Sequence, residues 1–140
     1  MYEKALKLVK TAHAGQTDKG GIAYINHLLT VAGGVSGETE KTVALLHDII
    51  EDTPTTLDGL RKQGFPDEVI AAVDCLTKRK GEPYEGYISR VKSNPCATRV
   101  KLADLRHNMD TGRLSNITDK DSERVKKYEY AVAYLTDSSP

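Results

Sequence analysis

The sequence has little cysteine, no excess of charge and no long apolar run, and each absence excludes a class of protein. Cys75 and Cys96 are too few for a disulfide framework and lack metal-binding spacing, so we expect two small, buried or half-buried thiols in a reducing compartment. Twenty basic residues balance twenty acidic ones, which argues against a general binder of nucleic acid or of anionic membranes. No apolar run approaches the roughly 20 residues that cross a bilayer, and the N-terminus has no apolar signal segment. We therefore expect a cytoplasmic protein.

The composition that is present is typical of one folded domain. The chain has 140 residues, of which 39% are hydrophobic and 29% charged, and we expect a single domain over residues 1–140. Apolar residues recur at helical spacing between glycines and prolines, and no convincing alternating strand pattern is present. The sequence therefore predicts an all-α fold of seven to eight helices around a central helix. The predicted helices cover residues 2–14, 26–35, 39–52, 55–64, 66–76, a segment opening at residue 83, 95–110 and 121–136.

The helix predicted over residues 39–52 contains ionisable residues in an apolar setting. Its middle, VALLHDII, is apolar nearly all round, and His47 and Asp48 would cost several kcal/mol there unless they are paired or bind a metal. Glu51 and Asp52 follow one turn later on the same faces. The structural alternative is a buried His–Asp hydrogen bond with a capping acidic pair, but carboxylates at a helix C-terminus oppose the helix dipole. The four residues therefore favour a metal or catalytic role.

A second segment, VKLADLRHNMD, places polar residues on an inward helix face. Val100 and Ala103 share this face with Asp104, His107 and Asn108. A single inward aspartate is usually a hydrogen-bond hub. An aspartate with an asparagine one turn later fits a metal ligand with a polar neighbour better.

The remaining histidines are weaker candidates when each is taken alone. His27 follows Tyr24-Ile25-Asn26 at a predicted helix start, where a packed or surface histidine is more common. We interpret His13 and His107 as structural or as supporting the site.

Together these residues resemble a known family. The order His27 … His47-Asp48 … Asp104 is similar to the H…HD…D signature of HD-domain phosphohydrolases. Longer blocks resemble the hydrolase domain of the RelA/SpoT-type alarmone enzymes, and in particular the free-standing small alarmone hydrolases. We expect no synthetase half of the kind found in the long bifunctional enzymes, because 140 residues leave no room for it. The blocks are AHAGQ (12–16), YINH (24–27), ALLHDIIEDT (44–53), LTKR (76–79) and VKLADLRHNM (100–109).

The resemblance implies an all-α HD domain that binds one divalent ion, typically Mn²⁺. The implied ligands are His27, His47, Asp48 and Asp104. Two imidazoles and two carboxylates suit Mn²⁺, Fe²⁺ or Zn²⁺ better than Mg²⁺ or Ca²⁺.

The implied reaction removes the 3′-diphosphate of guanosine tetra- or pentaphosphate, the alarmones of the stringent response, as pyrophosphate. Glu51 and Asp52 match the acidic pair that handles the attacking water. Asn108 matches a polar residue near the metal and the substrate. Tyr84 and Tyr87 would either contact a nucleotide or pack in the core. The candidate phosphate-binding cations are Lys19, Lys101, Arg106 and Arg79, the last of which fits a surface cation at least as well.

One position departs from the family pattern. Asp18 stands where many alarmone hydrolases carry an arginine that packs on the guanine base, and an aspartate cannot supply that cationic stacking. Two alternatives therefore stay open: an HD phosphohydrolase for another phosphorylated nucleotide, such as NADPH at its 2′-phosphate or a nucleoside phosphate, and a metal- and nucleotide-binding module with little turnover. In each case the partner is a small phosphorylated nucleotide. The sequence leaves open whether the chain forms a homo-oligomer.

Overall fold

The predicted all-α fold is confirmed by a computed structural model of the protein. The structure describes residues 1–18, 21–111 and 119–137, apart from the side chains at 110, 111 and 119–122. These residues form no strand, and their isolated β contact is an antiparallel bridge between Thr17 and Ala23. The helices of the described residues are α1 (Tyr2–Ala12), α2 (Ile25–Gly33), α3 (Glu38–Leu46), α4 (Ile49–Asp52), α5 (Leu57–Lys62), α6 (Asp67–Leu76), α7 (Tyr84–Lys92), α8 (Pro95–Thr111) and α9 (Asp119–Thr136).

Local sequence sets several helix boundaries. Pro66, Pro83 and Pro95 stand at the starts of α6, α7 and α8, where a helix does not need the missing amide proton. Thr56 caps α5, because its hydroxyl oxygen accepts a 3.0 Å hydrogen bond from the amide of Gly59. Gly64 follows α5 with φ at +92°, a left-handed conformation that favours glycine.

Helices α3 and α8 occupy the centre of the core. Residues 42–46 of α3 are all buried, and this helix contacts α1, α2, α6 and α8. Helix α8 packs against α2, α3, α6, α7 and α9. The two central helices therefore bring the segments around His47 and Asp104 next to each other.

The helix predicted over residues 39–52 is two helices, α3 and α4, and the His47 side chain explains the break. Nδ1 of His47 lies 2.6 Å from the carbonyl oxygen of Ala44, which is the acceptor that the amide of Asp48 would use in a continuous helix. Asp48 accordingly takes φ −108° and ψ 0°. His47 and Asp48 therefore form a turn inside the core.

The structure shows the state of the two cysteines and the character of the helices. Cys75 and Cys96 are free thiols and half-buried, as expected. Within the described ranges, no helix has both the length and the apolar character that crossing a bilayer requires.

Candidate metal centre

Two histidines and an aspartate from separate parts of the chain meet in the core. His27 on α2, His47 after α3 and Asp104 on α8 are all more than nine-tenths buried. Oδ1 of Asp104 lies 2.8 Å from Nε2 of His27 and 3.3 Å from Nε2 of His47. One carboxylate oxygen thus faces two imidazole nitrogens, and the three ligand atoms are close enough together to share a cation.

Asp48, the fourth predicted ligand, lies beside the other three. Its Oδ2 is 3.1 Å from Nε2 of His47, and the hydroxyl of Tyr24 donates to the same oxygen. The fold therefore brings together all four residues that the resemblance implies. Their binding of a metal ion stays a prediction.

Each of the two imidazole rings makes a contact through Nδ1 outside the cluster, so its Nε2 faces the other ligand atoms. Nδ1 of His47 donates to the Ala44 carbonyl. Nδ1 of His27 lies 2.7 Å from Nδ1 of His107, whose ring stacks on His27 at a centroid distance of 4.9 Å. A metal-binding histidine is usually oriented by such a partner at its other nitrogen. The donor set of two Nε2 atoms and two carboxylates thus fits a divalent transition metal, with His107 in a supporting position.

Charges within the cluster shift its pKa values strongly. Burial lowers the pKa of His47, but the charges of Asp48 and Asp104 outweigh burial and raise that pKa well above its usual value. Burial raises the pKa of Asp104, but Lys101 and His47 hold it well below its usual range. Without a metal ion, these shifts favour a protonated His47 imidazole beside ionised carboxylates.

Because a metal ligand must give up its proton, we expect metal binding to release about one proton from His47 near neutral pH. The affinity for Mn²⁺ should then rise as the pH rises towards the raised pKa of this imidazole. Isothermal titration of Mn²⁺ in buffers of different ionisation enthalpy measures the proton count. An affinity that is constant between pH 6 and pH 8, with no proton release, would contradict the assignment of His47.

Lys101, predicted to bind substrate phosphate, is in contact with Asp104. Its Nζ lies 3.1 Å from Oδ2 of Asp104 and 5.3 Å from the ring centroid of Tyr87. Burial lowers the pKa of Lys101, but the charge of Asp104 raises it above its usual value. Lys101 therefore neutralises the carboxylate in this arrangement, and a role in phosphate binding stays a prediction.

Glu51 and Asp52 lie on the short helix α4, next to the cluster, and each is accessible to solvent on one side only. The backbone amide of Lys78 donates to Oε1 of Glu51. Partial burial and the charge of Asp48 raise the pKa of both carboxyls. A raised pKa brings a carboxyl closer to the range that suits a general base near neutral pH.

Asn108 and Arg106, two predicted substrate-binding residues, lie on different faces of α8. Nδ2 of Asn108 is 3.3 Å from Oδ1 of Asp104, so the amide borders the cluster. Arg106 is exposed and lines, together with His107, a shallow cavity of about 150 Å³.

Among the residues that the structure describes, Arg79 makes no contact with the cluster, and the two tyrosines have packing roles. Lys19 lies outside the described residues. The side chain of Arg79 is 60% exposed, with NH2 3.7 Å from Oδ1 of Asp74. The hydroxyl of Tyr87 donates to the Leu76 carbonyl, which favours core packing, and the ring of Tyr84 lies 6.2 Å from that of Tyr87.

The sequence interpretation missed Tyr24. This residue donates to Asp48, and its ring lies 5.5 Å from the ring of His27. The spacing of Tyr24 was the available signal. Tyr24 precedes His27 by three residues, and residues three apart are neighbours on a helix.

Comparison with known proteins gives relatives in one family. A probable GTP pyrophosphokinase of Mycobacterium leprae is 35% identical over 126 residues, which cover 81% of this chain and 16% of that protein. A guanosine-3′,5′-bis(diphosphate) 3′-pyrophosphohydrolase of Aquifex aeolicus is 32% identical over 78% of this chain and 17% of its own length. The bifunctional (p)ppGpp synthase/hydrolase SpoT of Escherichia coli K12 is 32% identical over 77% of this chain and 17% of its own length. The chain spans less than a fifth of these relatives. No protein-family model matches it.

A solved structure has the same fold. It belongs to a metazoan ortholog of SpoT, described as hydrolysing ppGpp and playing a role in starvation responses. The two chains superpose with a TM-score of 0.80 over 98% of this chain and 85% of the other, at 22% sequence identity. At this identity the likeness shows a common fold.

Proposed function

Since the chain belongs to the HD-domain proteins of the RelA/SpoT alarmone hydrolase type, we propose that it is a metal-dependent hydrolase of guanosine tetra- and pentaphosphate. The reaction removes the 3′-diphosphate as pyrophosphate. The observation that carries the proposal is the convergence of His27, His47 and Asp104, with Asp48 beside them and two acids at the edge. The names of the relatives include synthase as well as hydrolase activity. An HD cluster with adjacent acids supports hydrolysis, because both parts serve to activate water.

His27, His47, Asp48 and Asp104 would hold one divalent ion, which we propose to be Mn²⁺, with Fe²⁺ and Zn²⁺ as alternatives. The mixed nitrogen and oxygen donors suit these ions. When bound, the ion would polarise a phosphoryl oxygen and lower the pKa of a water molecule. The Ala44 carbonyl and His107 fix the ring orientations of the two histidines.

Glu51 and Asp52 supply the acid–base chemistry in this proposal. One carboxylate accepts the proton of the attacking water, and the other holds that water in line with the phosphorus. Partial burial supports this role, because it raises the pKa of both carboxyls and so makes them stronger bases than exposed carboxylates. The bond from the Lys78 amide to Glu51 ties this acid to the loop after α6.

The substrate phosphates need positive charge. We propose Lys19, Lys101 and Arg106 for this role, with Asn108 as a polar contact between the metal and the substrate. Lys101 and Asn108 border Asp104, which supports their nearness to the reacting phosphate. We further propose that the protein works in the cytoplasm, where its nucleotide substrates occur.

A second candidate substrate follows from Asp18. Oδ1 of Asp18 accepts a 3.0 Å hydrogen bond from the amide of Ile22, so this side chain closes a loop. A carboxylate engaged in this way offers no stacking cation to a guanine base. This favours, as the alternative, a phosphohydrolase for another phosphorylated nucleotide, including the 2′-phosphate of NADPH.

The experiment that tests the function is a substrate panel. Purified protein is incubated with Mn²⁺ and a set of phosphorylated nucleotides, and the released group is identified by mass spectrometry. We expect pyrophosphate from guanosine tetraphosphate. Release of inorganic phosphate from NADPH, with the alarmone left intact, would favour the alternative. No turnover of any nucleotide by metal-loaded protein would favour a binding module.

Asp18→Arg is expected to lower the KM for the guanine substrate about two- to fivefold, the scale of an exposed cation–π contact. Turnover should change little, because the added contact binds the substrate and the transition state equally. Steady-state kinetics of both constants measures this. Asp18→Asn is the matched control, since it keeps an acceptor for the Ile22 amide without adding a cation. An unchanged KM in the arginine variant would show that position 18 takes no part in base recognition.

A further inference from the structure

His13 and Gln16, in the turn after α1, connect this turn to the end of α4. The side chain of His13 is buried, with 3% of the residue exposed. Its Nδ1 lies 2.8 Å from Oε1 of Gln16, and Nε2 of Gln16 donates to the carbonyl oxygen of Asp52 at 3.1 Å. A two-residue bridge therefore ends at the backbone of a proposed catalytic acid.

These bonds determine where His13 carries its proton. The amide of Gln16 must turn its nitrogen to the Asp52 carbonyl, because a carbonyl only accepts hydrogen bonds. The amide oxygen then faces His13, so Nδ1 of His13 must be the donor. Nε2 of His13 is buried without a hydrogen-bond partner in the described part of the chain. Within the described residues, the bond to Gln16 is therefore the side-chain hydrogen bond that orients the His13 ring.

The surroundings of His13 link the bridge to the metal cluster. The ring of His13 packs on Tyr24, with centroids 5.2 Å apart, and Tyr24 donates to Asp48. Helix α4 has four residues, and so short a helix contributes little rigidity of its own. The amide of Asp52 donates to the Asp48 carbonyl at 3.0 Å, and the Gln16 bond adds a second contact, from outside the helix, at the Asp52 carbonyl.

We propose that His13 and Gln16 are positioning residues that hold Asp52 in the geometry for activating water. The proposal rests on the proposed function, since it assigns a role to the acid of that reaction. Gln16 contacts the backbone of Asp52, and His13 orients Gln16. Neither residue contacts the four proposed metal ligands through a hydrogen bond described in the structure.

The test compares Gln16→Leu, His13→Leu and His13→Asn. The leucine variants remove the bridge, whereas the amide of asparagine supplies a donor in the place of Nδ1. We expect Gln16→Leu and His13→Leu to lose about tenfold or more in kcat, the scale of a lost supporting contact, with KM, metal content and melting temperature little changed. His13→Asn should recover most of kcat. Gln63→Leu, at an exposed glutamine, is the matched control and should behave as the wild type.

Two measurements do not depend on turnover. Nitrogen-15 NMR of His13 should show the proton on Nδ1, and Gln16→Leu should lose this preference. Amide hydrogen exchange at Asp52 and Thr53 should speed up in Gln16→Leu. Wild-type kcat in Gln16→Leu, or a proton on Nε2 of His13, would overturn the proposal. If the wild type binds Mn²⁺ but cleaves no nucleotide, the proposed function fails, and the NMR and exchange results alone still decide whether the bridge positions Asp52.

Discussion

Asp104→Ala is expected to abolish divalent metal binding and to reduce the free energy of unfolding by about 3–5 kcal/mol. Oδ1 of this carboxylate meets both histidine rings, and Oδ2 meets Lys101. Removing it leaves the part-buried Lys101 without its carboxylate partner and the buried His47 with Asp48 alone. Elemental analysis measures the metal content, and urea denaturation of the metal-free protein measures stability.

Two further variants make the result specific to Asp104. Asp104→Asn keeps the volume of the side chain and separates loss of charge from loss of folding. Asp58→Ala is the surface control, because the Asp58 side chain is 81% exposed beside Arg61 and should change stability by no more than about 0.5 kcal/mol. Full metal content in folded Asp104→Asn would show that this residue is not a ligand.

The double variant Glu51→Gln/Asp52→Asn should retain the metal ion and lose about 10²-fold or more in turnover. Both residues lie beyond the cluster, so their removal leaves the four proposed ligands in place. Without a carboxylate, the attacking water has no proton acceptor. Steady-state kinetics with pyrophosphate detection, together with metal content, distinguishes catalysis from binding.

The pH profile gives a second readout of the same pair. Burial raises the pKa of both carboxyls, so protonation removes the base at a higher pH than it would for an exposed carboxyl. We expect the acidic limb of the kcat profile at that raised position in the wild type, and its loss in the double variant. Asp67→Asn/Glu68→Gln, an exposed pair at the start of α6, is the matched control. Near-native turnover in the double variant would show that Glu51 and Asp52 only cap the helix.

The helices could be predicted from the sequence because the residues that mark them are close together in the chain. Proline positions and apolar spacing mark the starts of α6, α7 and α8, and the observed helices begin there. The break after α3 has no such signal. It depends on a hydrogen bond from the His47 side chain to a backbone carbonyl, and residues 43–50 are apolar on either side of it.

The site could be predicted only in part, because some of its contacts join distant parts of the chain. Helical spacing places Asp104 and Asn108 on one face, and the structure has them in contact. The i,i+3 spacing of Lys101 and Asp104 permits their ion pair, but it does not show that Tyr87 of α7 packs against the same lysine. Tyr24 and Gln16 act through bonds to distant parts of the chain, 24 and 36 residues away, which no local pattern contains.

The anchoring of the two imidazole rings has a consequence for the thermodynamics of metal capture. The Ala44 carbonyl holds the His47 ring and His107 holds the His27 ring before any ion arrives. An ion therefore meets a preorganised site, and little side-chain conformational entropy is lost on binding. Replacing His107 by alanine would leave the ligands unchanged in number but release one ring, so the weakening of affinity should appear mainly as a less favourable entropy.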